Sequence, residues 1–213
     1  MRSLSGATGL LVGAISYALG VCALAAPGEM ALPTPCAEWD LGMLLAHLAR
    51  SMADLETVIR TGDLDLDHPE NPPDPGTGDP VELIRERAAE LLCAVYCSGV
   101  PGTPGTPGTP ESSGRFVTVG GLPMPAGLVA CTGAMEIAVH GWDVSAARSR
   151  AGRGGVRPIP AALASRMLEL CPLLVAGREG LFAVPVAVPA QASPGDRLIG
   201  YLGRAPLSPG GRL

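Results

Sequence analysis

The sequence predicts a mainly α protein, a four-helix bundle followed by a short C-terminal extension that contains a helix and a small β element. Three observations carry this. Residues 41–59 repeat aliphatic side chains at steps of four and three (Leu41, Leu45, Leu48, Met52, Leu55, Ile59), the spacing of one helix face. Three other stretches, 9–26, 80–96 and 124–147, are long enough and apolar enough on one side to pack against it. The β-like runs are short by comparison, Phe116-Val117-Thr118-Val119 being the clearest.

Composition bounds what such a bundle can do. A chain of 213 residues buries roughly 70% of its unfolded surface on folding, so it needs neither disulfides nor metal to form a core. The expected division is a bundle over 1–148 and an extension over 149–213 packed on it. With 47% hydrophobic and 16% charged residues the chain is globular, since a disordered one would be poorer in aliphatics. Its net charge of −5 argues against a nucleic-acid footprint. All 15 basic residues are arginine, and the absence of lysine excludes Schiff-base chemistry and a P-loop. The six cysteines (Cys22, Cys36, Cys93, Cys97, Cys131, Cys171) show no C-x-x-C and read as reduced thiols of a cytoplasmic protein. A small molecule is the expected partner, with no nucleic acid and no membrane, and a homodimer is compatible with the pattern.

Each element follows in order. Residues 9–26 carry no charge, and Leu11, Ile15, Leu19 and Cys22 make a core seam whose opposite face of small residues lets a neighbouring helix come close. The alternatives are a secretory signal ending at Ala23-Leu24-Ala25-Ala26 behind Arg2, and a weak membrane span; the core helix is preferred. Pro33 and Pro35 keep the next approach extended, and Asp40 is the N-cap of the helix bearing His47. At the seam's edge, a lone histidine ordinarily donates to a carbonyl. Residues 61–80 form a loop in which His68 is solvated rather than a ligand. The third helix begins at Asp79 or Pro80 and turns Val81, Ile84, Ala88, Leu91, Leu92 and Val95 inward. Its Cys93 and Cys97 are read as small residues of a buried face in preference to soft-metal ligands or a redox pair.

Four triplets over 99–110, each opening with glycine and ending with proline, form a low-complexity Gly-Thr-Pro connector that would span about 37 Å as polyproline II. Beyond the fourth helix, Arg148, Arg150, Arg153 and Arg157 alternate with small residues, which predicts a solvated flexible segment more readily than a grip on carboxylate or phosphate. A helix over 159–174, a short strand over 182–188 broken by Pro185, and a turn or helix over 193–203 around Asp196 and Arg197 complete the chain.

The chemistry concentrates in Glu136-Ile137-Ala138-Val139-His140-Gly141-Trp142-Asp143. Residues four apart on a helix stack about 6 Å from one another, so Glu136 and His140 are a candidate half-site for a metal ion. Thr132, Glu136, His140 and Asp143 share one polar stripe on an otherwise apolar helix. Such a stripe needs a partner, and His47 on the second helix is one.

Thr34-Pro35-Cys36-Ala37-Glu38-Trp39-Asp40 with His47 seven residues on, Glu136-x-x-x-His140-Gly141-Trp142-Asp143, and the closing Val186-Ala187-Val188-Pro189-Ala190, Asp196-Arg197-Leu198 and Leu202-Gly203-Arg204 resemble a known group. They are similar to the actinobacterial metal-binding proteins related to mycothiol-dependent maleylpyruvate isomerase. The resemblance implies a DinB-like four-helix bundle and a divalent ion, usually zinc, held at His47, Glu136 and His140. It also implies activation of a low-molecular-weight thiol such as mycothiol as co-substrate. The isomerases of that group carry a larger C-terminal α/β domain, whereas only residues 149–213 follow the motif here.

Two neutral imidazoles and one carboxylate would leave a divalent ion with a net charge of about +1 and an open position, as in catalytic zinc sites. Such an ion lowers the pKa of water or holds a thiol as thiolate, so either could be the nucleophile. Asp143 is the candidate catalytic residue, to orient an imidazole or accept a proton, unless it caps a backbone group. Trp39 and Trp142 wall the pocket or belong to the core. The expected function is a metal-dependent enzyme of the mycothiol-dependent isomerase or thiol S-transferase type acting on a small organic molecule. The alternatives are a thiol-independent isomerase or cyclase in a biosynthetic pathway, and a non-catalytic bundle that binds a metal or small molecule.

Overall fold

The computed structural model describes residues 6–36, 39–65, 78–97, 115–175 and 183–206. The Gly-Thr-Pro connector and His68 lie outside them. Six helices and a small sheet follow in the order α1 (Ala7–Cys22), α2 (Leu41–Thr61), β1 (Asp63–Leu64), α3 (Pro80–Cys97), β2 (Phe116–Val119), β3 (Leu122–Pro125), α4 (Ala126–Arg150), α5 (Ala161–Leu174) and α6 (Pro194–Tyr201). The protein is a mainly helical bundle with a small β element, as its periodicity predicts.

α4 is the central rod. It packs along α1 and against α2, which in turn packs on α3, while α3 also meets α1. From Gly133 to Ala147 nearly every residue of α4 is buried, which is how a helix apolar on most of its circumference is accommodated. Two glycines let its neighbours approach. A Cβ on Gly141 would lie 3.1 Å from the Tyr17 ring and 3.3 Å from the Ala18 Cα, and one on Gly133 would lie 2.3 Å from a Leu55 methyl. α1, with Leu10, Leu11, Ala14, Ile15, Ala18, Val21 and Cys22 buried, is therefore a core helix.

α2 starts where the Asp40 carboxylate accepts the Met43 N–H at 2.9 Å and stops at Gly62, whose φ of 79° closes the last turn. Its seam of Leu41, Leu45, Leu48, Met52 and Leu55 is buried. Ahead of it, the Pro33–Asp40 bridge and the Thr34 hydroxyl, which donates to the Trp39 carbonyl at 2.8 Å, hold residues 39–40 against 33–34. That fold delivers Cys36 and Trp39 to the end of the bundle where His47 lies.

Several boundaries differ from the sequence expectation. Met124 is not helical: it pairs with Val117 in the β2–β3 hairpin, and α4 begins two residues later after Pro125 and runs on to Arg150. β1 adds in parallel to β2, so the sheet sits between α2 and α4 rather than in the extension. There, the described residues 183–188 of the expected strand form none, because Pro185 lacks a donor; the Val186 N–H reaches the Gly200 carbonyl at 2.8 Å instead. Arg148 and Arg150, expected in a flexible segment, lie in the last turn of α4, and the first of them is not free to grip an external anion. Arg148 pairs with the buried Glu29 at 2.8 Å, and Arg153 approaches the same carboxylate at 3.8 Å. Cys93 and Cys97 face solvent with their sulfurs 3.7 Å apart, on the outer side of α3.

α5 and α6 pack on each other, and α5 also contacts α4 and α1. α6 is capped by the Ser193 hydroxyl, which accepts the Asp196 N–H, and it buries Leu198 and Ile199. At its end Gly203, with φ of 80°, reverses the chain, and the Arg204 N–H bonds the Ile199 carbonyl at 3.0 Å. The reversal turns Arg204 back toward α4. No described helix is long and apolar enough to cross a membrane.

Candidate metal centre

The polar stripe of α4 faces α2 and the 30–40 segment. His47 Nε2 lies 3.0 Å from Glu136 Oε1, and the Ser51 hydroxyl, one turn further along α2, donates to the same oxygen at 2.7 Å. The His140 ring stands at 87° to that of His47 with centroids 4.9 Å apart. One ligand atom from each of His47, Glu136 and His140 lies within 4.8 Å of the others, close enough to share a small cation. His47 and Glu136 keep 26% and 37% of their side chains exposed, so the cluster is open on one side. Trp39 covers another side, its ring 4.7 Å from that of His47 and 6.3 Å from that of His140. Trp142, by contrast, belongs to the core.

Behind His140 the environment is different. Its Nδ1 is 3.1 Å from Asp143 Oδ2, and the Asp143 side chain is fully buried. Arg204 meets that carboxylate in a two-pronged contact, Nε to Oδ1 and Nη2 to Oδ2, both at 2.8 Å. The Cys36 sulfur completes the set, 3.4 Å from Asp143 Oδ2 and 3.8 Å from both His140 Nδ1 and Arg204 Nη2. Cys36, His140 and Asp143 thus form a second grouping of metal-capable atoms. The Arg204 guanidinium already occupies both Asp143 oxygens, which makes this grouping a support rather than a site.

Electrostatics separate the two sides. Burial pushes the Glu136 carboxyl up, but the hydrogen bond from His47, the nearby His140 and the Ser51 hydroxyl outweigh it and bring it down to about 2. Asp143 is also opposed by burial, yet His140 and Arg204 hold it below the ordinary carboxylate value. Burial first, and then the neighbouring Asp143 charge, push the Cys36 thiol up to about 12. Cys36 is therefore a neutral thiol, able to donate to Asp143. An ionised Asp143 accepts a hydrogen bond from the His140 Nδ1–H, which leaves the Nε2 lone pair for a ligand.

All four residues singled out from the sequence, His47, Glu136, His140 and Asp143, meet in one place. Thr132 does not contribute, because it is exposed and donates to the Leu128 carbonyl one turn back. Three residues were missed as participants. The four-residue spacing of His47 and Ser51 could have revealed Ser51. Cys36 and Arg204 stand in two of the motifs that carry the family resemblance, but no helical spacing tied them to the site, since neither is helical.

The donor set fits a divalent cation: two imidazoles and a carboxylate whose charge is already favoured, with one imidazole oriented by a second carboxylate. The mycothiol maleylpyruvate isomerase N-terminal domain matches residues 14–145, a span that contains Cys36, His47, Glu136, His140 and Asp143 but not Arg204. No curated protein and no solved structure matches the chain. With well over half of its length covered by that match, this chain belongs to the mycothiol maleylpyruvate isomerase N-terminal domain family.

Proposed function

We propose that His47, Glu136 and His140 hold a divalent cation, most plainly zinc, and that the chain is an enzyme of the mycothiol-dependent isomerase or thiol S-transferase kind acting on a small organic molecule. The observation that supports this best is the convergence of the three ligand atoms within 4.8 Å at an open face, beside a fully buried carboxylate that orients one of them. When bound, the cation supplies a Lewis acid that favours the anionic form of a thiol or of a substrate oxygen. The remaining roles belong to the chain's own side chains. Asp143, with both oxygens engaged, acts as a positioning residue: it keeps the proton on His140 Nδ1 and has no oxygen free for a substrate proton. Arg204 keeps Asp143 ionised. Ser51 fixes one oxygen of Glu136, and Trp39 limits water on one side of the imidazoles.

Metal analysis of the purified chain, followed by turnover assays on small activated substrates with and without mycothiol, tests the reading. One equivalent of zinc and thiol-dependent turnover, both lost in His47→Ala, are expected. Turnover that persists without thiol would move the chain to the metal-dependent isomerases or cyclases. A native chain that takes up no divalent ion would end the proposal.

A further inference from the structure

The outer face of α3 carries two exposed thiols, Cys93 and Cys97, one helical turn apart and 3.7 Å from each other at their sulfurs. Neither belongs to the two groupings of metal-capable residues around α4. Thiols paired so closely can join as a disulfide or hold a soft ion between them, and spacing decides between the two. Residues four apart on a helix keep their Cβ atoms about 5–6 Å from one another. A disulfide needs about 3.5–4.5 Å, so a bond between Cys93 and Cys97 would force open the last turn of α3. A bridging metal makes no such demand. With metal–sulfur bonds of about 2.3 Å, two thiolates at tetrahedral to trigonal angles stand about 3.7–4.0 Å apart. The sulfurs of Cys93 and Cys97 already have that separation.

The number of ligands narrows the ion. Among the described residues, no third histidine, cysteine or carboxylate has a ligand atom within 4.8 Å of both sulfurs. Structural zinc takes four protein ligands and an iron–sulfur cluster four thiolates, so two cysteines hold either of them weakly. Cu(I) is selected by thiolates and is satisfied by fewer ligands. We infer that Cys93 and Cys97 form a second metal site, an exposed dithiolate on α3 that takes Cu(I). Both thiols lose their protons as the two S–Cu bonds form, and no electron is transferred. The resulting centre carries one negative charge, and the Arg60 guanidinium, paired with Glu56 on α2, lies within hydrogen-bonding reach of Cys93 to meet it. The site uses no residue of the histidine cluster and is independent of the cation proposed there.

Anaerobic competition of the reduced full chain against bathocuproine disulfonate for Cu(I) tests this. The original chain should withdraw one equivalent that Cys93→Ser and Cys97→Ser each bind at least about a hundredfold more weakly, because each removes one of two ligands. Zinc uptake and the unfolding midpoint should be unchanged in both variants, since both side chains are exposed. Two double variants separate the spacing of the thiols from their number. Ala89→Cys with Cys97→Ser places the pair at 89 and 93, again one turn apart on exposed positions, and should restore binding to within severalfold of the original. Glu86→Cys with Cys97→Ser places the thiols two turns apart, about 10 Å, where they cannot share an ion, so binding should stay lost. The inference is overturned if both serine variants hold Cu(I) as the original does. It is equally overturned if the pair at 89 and 93 fails to restore binding, or if the pair at 86 and 93 restores it as well.

Discussion

His140 has two faces, and they could hardly differ more. On the Nδ1 side, Asp143, Arg204 and Cys36 form a closed network in which both oxygens of the carboxylate are engaged and nothing of the Asp143 side chain is exposed. On the opposite side, His47 and Glu136 share one hydrogen bond, lean on Ser51, and keep 26% and 37% of their side chains exposed. One side is over-determined and the other is held loosely with room for an additional atom. This asymmetry is what a metal ligand requires: a fixed ring orientation behind, and a vacant lone pair with adaptable partners in front.

The largest effect should come from breaking the open side. His47→Ala or Glu136→Ala removes one of three donors, and zinc affinity should fall by at least about a hundredfold. Stability should hardly change, since both side chains are partly exposed and neither supports the core. Competition against a chromophoric chelator and chemical denaturation of the same samples check both parts. A variant that unfolds would show the open side to be structural.

Breaking the closed side should do the reverse. Asp143→Asn leaves the Arg204 guanidinium buried without a counter-charge, and a one-sided break of a buried ion pair costs about 3–5 kcal/mol. Zinc affinity should fall about 10–100-fold through misorientation of His140 alone. The pH dependence identifies the cause. Asp143 titrates below its unfolded value, which for an aspartate is about 3.9. Its contribution is therefore complete above that value and is lost as pH falls through the lower folded value. The stability difference between the original chain and Asp143→Asn, measured by denaturant unfolding at neutral pH and near pH 3, should shrink in acid.

How much of this could be read beforehand follows from the same asymmetry. The open side lies on two helices, where a fixed period of 3.6 ties sequence spacing to spatial direction. Glu136, His140 and Asp143 therefore announce a common stripe. Ser51 obeys the same rule relative to His47. The closed side depends on Cys36 and Arg204, placed by a loop folded through Thr34 and by the turn at Gly203, where no period links sequence to space. The same reason explains the strand expected over 182–188. Its apolar alternation is real, but Pro185 removes a donor that a ladder needs. Cys93 and Cys97 were read as small residues of a buried face; α3 buries Leu91 and Val95, as their spacing predicts, and that same rotation leaves both cysteines exposed.

The open side also depends on how closely α2 and α4 approach, and Gly133 controls that spacing. An added Cβ would meet Leu55 Cδ1 at 2.3 Å and Cγ at 2.9 Å, so the whole side chain of Leu55 must move or the helices must part. Gly133→Ala should cost about 1–3 kcal/mol, in the range of overpacked cores. If the helices part, the His47–Glu136 distance lengthens and zinc affinity falls with stability. If Leu55 gives way, stability falls alone. Adding Leu55→Ala to Gly133→Ala separates the cases, because it removes the clash and should restore zinc affinity only where helix spacing was at fault.

Ser51→Ala is the finest division between the two sides. The hydroxyl donates to Glu136 Oε1 at 2.7 Å, the oxygen that also faces His47. It therefore limits the carboxylate's rotation in the way Asp143 limits His140, but from a partly exposed position and with one hydrogen bond instead of a network. One such bond is worth about 1 kcal/mol, so zinc affinity should fall only about fivefold, with no measurable change in unfolding. A loss as large as that of Asp143→Asn would mean that the front of the site is as strictly positioned as the back. In that case the exposure of Glu136 marks an entry path for the ligand and not adaptability of the carboxylate.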